Sequence, residues 1–410
     1  MSDSQQRGGL DRRHFLQVAL LAGAGLATQP LQALAANVAR QPFANGDRDL
    51  VSYPQKRPLM LITTRPPHLE TPFEVFNESL LTPNDAFFVR YHLANLPTRI
   101  DPATYRLRVH GQVRQALDLD LAALKALGEP VEVIAVNQCS GNSRGYFEPR
   151  VFGAQLGHGS MGNARWVGLP LRTLLNHAGV LDSARQVTFR GLDQPVLPAT
   201  PSMTKAIDVE HALSAEPLIA WSMNGEDLPF LNGYPLRLVL PGYFGTYWIK
   251  HLSEIEVIDH EFDGFFMQKA YRVPDNDCQC LPAGSALGAS RPIGRLPVRS
   301  FVTSLREGQT LPLGQNQALR GIAFDGGSGI RSVEISDDGG RNWQPTQLGE
   351  DLGNYSFREW RTDWRPRQRG VIHLLVRAHN ARGETQPAEP TWNPGGYARH
   401  SIETLPLHII

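Results

Sequence analysis

The chain has 410 residues, enough for two domains, and 41% of them are hydrophobic, as in an ordinary globular protein. Lysine and arginine total 40 against 40 acidic residues, a formal net charge of +0. That balance argues against nucleic acid or an anionic membrane surface as the main partner. Gly 38 and Pro 31 imply many turns, hence a loop-rich β or α+β protein.

Residues 1–35 read as an export signal. Arg12-Arg13-His14-Phe15-Leu16 precedes the apolar run 18–27, and Ala33-Leu34-Ala35 offers a small-x-small cleavage site. The paired arginines resemble a twin-arginine signal; a Sec signal or a membrane anchor is the alternative. The apolar run is short for a spanning helix. Twin-arginine export carries proteins that fold first, usually around a cofactor. The expectation is a periplasmic protein with no membrane span in its mature form.

Residues 36–82 are Pro-rich and read as an irregular arm, followed by a strand over 87–92. Alternation puts Phe88, Arg90 and His92 on one face of that strand. Two such polar groups on one face suit either a polar site or a solvated surface. A strand over 105–113 and a helix over 120–127 follow, with Asp120 as N-cap and Gly128 at its end. Val131 to Val136 reads as a buried strand ending at Cys139, in Asn137-Gln138-Cys139-Ser140-Gly141-Asn142-Ser143-Arg144. A thiol there is placed to hold a soft metal, with Arg144 bringing fixed positive charge. Taken alone, such a cysteine is more often a structural core residue.

A Gly-rich loop spans 147–163, and a helix runs from Pro170 to Gly179. Arg237 and Lys250 flank an apolar strand and a glycine turn, which suits an anionic ligand such as phosphate, or plain solvated charges. The chain has three cysteines. Cys278 and Cys280 form a tight disulfide or remain two free thiols, and Cys139 is the odd one. No Cys-x-x-Cys-His occurs, so no c-type haem is expected in this chain. Residues 284–295 read as a linker. Short strands and turns beyond it, with Trp343, Trp360 and Trp364 for a core, indicate an immunoglobulin-like sandwich.

At this point the residues resemble the sulfite oxidase family. The segment 137–144 is similar to that family's molybdenum-cysteine motif, and Phe88-Val89-Arg90-Tyr91-His92 to its Arg-x-His strand. Asn232-Gly233-Tyr234-Pro235-Leu236-Arg237 and Trp248-Ile249-Lys250 resemble its pterin-phosphate segments. Gln268-Lys269-Ala270-Tyr271 stands where the family has its active-site tyrosine, and Trp392-Asn393-Pro394-Gly395-Gly396-Tyr397 resembles the end of its dimerisation domain. The match spans nearly the whole mature chain, with bacterial periplasmic sulfite dehydrogenases as the most similar subgroup.

The resemblance implies an α+β chain with three parts: a signal (1–35), a molybdopterin-binding catalytic domain (36–284) and an immunoglobulin-like dimerisation domain (285–410). It implies Cys139 as the ligand of one molybdenum, with one molybdopterin per chain. Arg90, Arg144 and Tyr271 would line an oxyanion pocket, with His92 close to the cofactor. Asp193, Asn232, Arg237 and Lys250 would hold the pterin and its phosphate, within segments that include Phe88, Trp248 and Ile249. Gly395 stands where vertebrate members place an arginine, and Arg399 is the candidate substitute. The implied reaction is sulfite oxidation with a separate c-type cytochrome as acceptor, in a homodimer or with another subunit. A methionine sulfoxide reductase of the same superfamily is the alternative, though the C-terminal sandwich argues against it. A non-enzymatic periplasmic binding protein is a third reading, which leaves Cys139, Arg90 and Arg144 without a purpose.

Overall fold

The structure is a computed structural model that describes residues 40–41 and 46–410, so the expected export signal at 1–35 lies outside the described residues. Three five-stranded sheets build the part before residue 275. The first joins Arg40–Gln41, Arg48–Val51, Leu59–Thr63, His68–Glu70 and Val89–Arg90, each antiparallel to the next. This corrects the expected irregular arm: residues 48–70 form a meander that ends beside Arg90. Its strands are short and show no clean alternation, so their pairing has little local signal.

The second sheet runs Thr204–Asp208, Gln186–Gly191, Leu252–Ile258, Leu107–Gly111, Leu117–Leu119. Its Leu252–Ile258 and Leu107–Gly111 strands pair in parallel. The third joins Val131–Gln138, Met161–Pro170, Leu218–Met223 and Glu226–Asp227, with Arg237–Val239 beside Leu218–Met223. Val131–Gln138 is exposed at its start and buried only at its cysteine end. The expected loop over 147–163 gives way to this sheet at Met161. The helix Leu121–Lys125 starts as expected, with the Asp120 carboxylate accepting the Ala123 N–H at 2.8 Å. It stops at Ala126, before the predicted Gly128. Leu171–Ala178 follows Pro170 and ends on Gly179 at φ +70°.

Two further sheets form the C-terminal domain. One is Arg299–Val302, Gln317–Phe324, Arg358–Trp364, Gln347–Leu348; the other is Thr310–Leu311, Glu403–Ile409, Gly370–Asn380, Ile330–Ser336, Gln344–Pro345. A separate core lies between them, with Leu319, Val333, Trp360, Trp364, Leu374 and Leu407. Trp343 was expected in that core but sits half-exposed, with the Arg377 guanidinium 3.9 Å from its ring centroid. The expected linker is partly a strand, since Ser290–Pro292 pairs with Arg272–Pro274. The large N-terminal core also takes in Phe301, Phe324 and Phe357, so the two parts pack together through apolar contact. Among the described residues no helix is long and apolar enough to cross a membrane.

Candidate active site

A cleft opens where the first and third sheets meet. Phe88, Arg90, His92, Cys139, Asn232, Arg237, Lys250 and Tyr271 line it together, although they come from five separated stretches of chain. Cys139 follows directly on the strand Val131–Gln138, whose last residue pairs with Met161. Its N–H donates to Ser160 O at 2.9 Å, so the neighbouring strand sets the thiol's place. Cys139 is half-buried and carries a free thiol. Cys278 and Cys280, both outside the cleft, are joined as a disulfide.

Arg90 reaches the cleft from a strand shorter than expected, since only Val89–Arg90 pairs. On a regular strand Phe87 and Phe88 would face opposite ways, but both line the cleft, their rings stacked at 5.4 Å. The backbone before Val89 is therefore not regular strand. Beyond it, His92 Nε2 and the Tyr271 hydroxyl are 2.5 Å apart. Burial, then the charge of Arg90, moves His92 well below the usual histidine range. The ring is neutral at physiological pH. Burial raises the Tyr271 phenol above its ordinary value, so it keeps its proton.

The opposite wall is cationic. Lys250 Nζ donates to Arg90 O at 2.6 Å, and Gly233, at φ +115°, lets the backbone pass beside it. A Cβ there would meet Lys250 Cα at 3.2 Å. Arg237 donates to Asn232 O at 2.8 Å and lies 5.0 Å and 5.6 Å from the centroids of Trp166 and Trp248. Lys56, from the Pro-rich stretch, donates to Asn232 Oδ1 at 2.5 Å. Burial lowers Lys56 and Lys250 to about 7 and Arg237 to about 9. Among the described residues none of Arg90, Arg237 and Lys250 forms an ion pair. Four buried polar atoms of lining residues also lack a partner: Asn137 Oδ1, Ser140 Oγ, Arg237 Nε and Thr246 Oγ1. A Cβ at Gly245 would come within 2.3 Å of Asn137 Oδ1, so only glycine leaves that corner open.

Such a wall fits a polar, anionic group held next to a soft thiolate. A phosphorylated pterin dithiolate with its metal has this chemistry. Cys139 would ligate the metal, and Arg237, Lys250 and Asn232 would face the phosphate and ring.

Four expected site residues stand outside the lining. Trp248 and Ile249 are buried, Trp248 stacking near Arg237. Asp193 is half-buried near Lys250, whose charge favours its ionised form while burial disfavours it. Arg144 lies beside the cleft, its Nε donating to Gly396 O at 3.2 Å. Arg399, the candidate substitute for Gly395, is ion-paired with Glu403 at 2.6 Å and turned towards Tyr146, so it does not take that role. Sequence reading missed Asn137, Ser140 and Thr246 as wall residues, and Lys56 as the donor to Asn232. Asn137, Ser140 and Thr246 lie inside stretches already singled out, whereas Lys56 carries no local signal.

Known proteins resemble this chain in sequence and in fold. The chain matches the model of an oxidoreductase molybdopterin binding domain over residues 93–266, and that of a Mo-co oxidoreductase dimerisation domain over 290–401. It is 33% identical to sulfite oxidase of Gallus gallus over 90% of this chain and 80% of that protein. It is 32% identical to mitochondrial sulfite oxidase of Homo sapiens over 87% of this chain and 67% of that protein. Its fold is that of the sulfane dehydrogenase SoxCD of Paracoccus pantotrophus, with a TM-score of 0.71, 23% identity, and 93% and 90% of the two chains covered. With a free thiol and an unpaired cationic wall in one cleft, the chain belongs to the sulfite oxidase family of molybdopterin-binding oxidoreductases.

Proposed function

We propose that this protein oxidises sulfite to sulfate at a molybdenum–molybdopterin centre bound through Cys139, and passes the electrons singly to a separate c-type cytochrome. The observation that carries the reading is the wall of Arg90, Arg237 and Lys250, without an ion pair among the described residues, beside a free thiol. Sulfite is a small dianion at neutral pH, and arginine offers planar donors that stay charged. When bound, the cofactor supplies the two-electron oxygen-atom chemistry. The balance is sulfite plus water giving sulfate, two protons and two electrons.

The chain's own groups bind, orient and hold protons. Arg90 and Arg144 attract the anion. Arg237, Lys250 and Asn232 hold the pterin phosphate. The Tyr271–His92 hydrogen bond fixes a phenol proton at the cleft, where it can orient an oxygen of substrate or product. The twin-arginine signal supports a periplasmic location, and the dimerisation-domain match supports pairing through an immunoglobulin-like last domain.

The test is an assay of purified, metal-analysed protein. About one molybdenum and one pterin per chain are expected, with sulfite-dependent reduction of cytochrome c faster than of O₂. Reduction of methionine sulfoxide in place of sulfite oxidation, or full activity without metal, would overturn the reading.

A further inference from the structure

Arg144 is held by parts of the chain far from it in sequence. Bare backbone closes on its guanidinium from three sides. A Cβ at Gly141 would stand 2.6 Å from Nη2, one at Gly153 3.0 Å from Nη1, and one at Gly396 2.9 Å from Nε. Gly153 and Gly396 both have positive φ, +112° and +58°, so side chains are disfavoured there on two counts. An aromatic face lies against the guanidinium as well. The Tyr397 ring centroid is 5.1 Å from Arg144 Cζ and 5.2 Å from the ring of Tyr271.

Tyr397 is itself anchored. Its N–H donates to Asn393 Oδ1 at 3.1 Å, and Asn393 Nδ2 donates back to Tyr397 O at 2.8 Å. The next residue ties the segment to the thiol loop, the Ala398 N–H donating to Ser140 O at 3.0 Å. Trp392 Nε1 donates to Pro149 O at 2.8 Å, closing the other end. Residues 392–398 of the C-terminal domain are thus bound to both flanks of the loop that carries Cys139 and Arg144.

Arg144 donates to Gly396 O and, at 3.5 Å, to Ala154 O; among the described residues it has no ion pair. Its charge stays uncompensated, with an aromatic face that fixes the plane of the fork without neutralising it. That is the state required to take a small oxyanion. We propose that Tyr397 is a positioning residue for oxyanion binding: its ring holds the Arg144 guanidinium in register with Tyr271, so the C-terminal domain completes the anion site. The inference rests on the sulfite reading for the identity of the anion.

The test compares wild type with Tyr397→Leu and Tyr397→Phe as molybdenum-loaded enzymes, with Tyr397→Met as a second flexible replacement should the leucine variant not fold. Sulfite kinetics and sulfate binding by calorimetry are both measured. Losing the aromatic face should raise the sulfite KM and the sulfate Kd about tenfold, with kcat changed less than about twofold. Phenylalanine keeps the face and should stay within about twofold of wild type on all three. Unchanged KM and Kd in the aliphatic variants would overturn the proposal, as would a loss confined to kcat. A phenylalanine variant as impaired as leucine would do the same. A wild type that binds sulfate but oxidises no sulfite removes the sulfite reading alone, and the sulfate titrations then decide Tyr397. A wild type that binds no sulfate overturns the positioning role.

Discussion

Two clusters of positive charge stand on either side of the thiol loop, and they are solved in opposite ways. At the domain interface Arg299 is fully buried and ion-paired with Glu403, which also takes Arg399 at 2.6 Å. His158 approaches the same carboxylate at 3.8 Å and stacks on Tyr146 with ring centroids 4.3 Å apart. Burial works to raise the Glu403 pKa, but Arg399, His158 and Arg299 outweigh it and bring it to about 2. Arg299 Nε and Nη1 are left without acceptors, yet the shared Glu403 carboxylate gives each guanidinium a counter-ion within the protein. In the cleft, Arg90, Arg237 and Lys250 have no such carboxylate among the described residues; Asp193 only favours the charged form of Lys250. Burial accordingly pushes Lys250 down to about 7. A cation with a carboxylate of its own chain is neutralised in place, whereas the cleft cations leave their charge for a ligand to meet.

The sharpest break of this comparison is at the thiol. Cys139→Ser should leave the interface cluster and the fold intact while molybdenum content and sulfite turnover fall to background. Retained metal in that variant would remove Cys139 as the ligand. Next is Glu403→Gln, which strands Arg299 and Arg399. It should destabilise the protein by about 3–5 kcal/mol in chemical denaturation, with or without cofactor. A loss below about 1 kcal/mol would mean that the cluster's charges are compensated elsewhere.

Lys250→Met separates the two clusters by sign. In cofactor-free protein it removes an unpaired cation and should stabilise. In loaded protein it removes a charge-assisted contact and should weaken cofactor retention by about 1.5–3 kcal/mol, roughly ten- to a hundredfold. Equal destabilisation in both states would show that Lys250 is structural.

The smallest effect is a pH slope. The folded value of Lys250, about 7, lies below the ordinary lysine value of 10.5 that holds in the unfolded chain. Between these limits the unfolded chain binds the extra proton, so stability rises with pH, and the full cost is present below pH 7. For Glu403 the folded value of about 2 lies below 4.5, so its contribution is present above pH 4.5 and lost as pH falls towards 2. Denaturation of cofactor-free wild type and Lys250→Met from pH 7 to 10 should differ in slope by up to about 1.4 kcal/mol per pH unit. Parallel slopes would place the Lys250 proton outside this linkage.

Much of the site was legible because its residues sit in short, punctuated stretches. Cys139 and Arg144 share one loop, and Arg90 and His92 share one face. Asn232, Arg237 and Lys250 lie close along the chain around glycine turns. The Asp120 cap and the Pro170–Gly179 helix were legible for the same local reason. Lys56 was not, because a lone lysine in a Pro-rich stretch has no periodic or motif signal. The strands at 48–70 were missed because they are defined by partners rather than by their own pattern.

By itself the sequence determined the chemistry on offer: a thiol at a strand end, arginines and lysines near glycine turns, an all-β tail, and a family resemblance that implies molybdenum and sulfite. Only the tertiary structure decided which charges were neutralised. Glu403 lies 104 residues from Arg299 in sequence, and Gly396 252 residues from Arg144, yet each is in hydrogen-bond contact with its partner. Compensation is a short-range property in a low-dielectric interior, and proximity across such separations is set by packing.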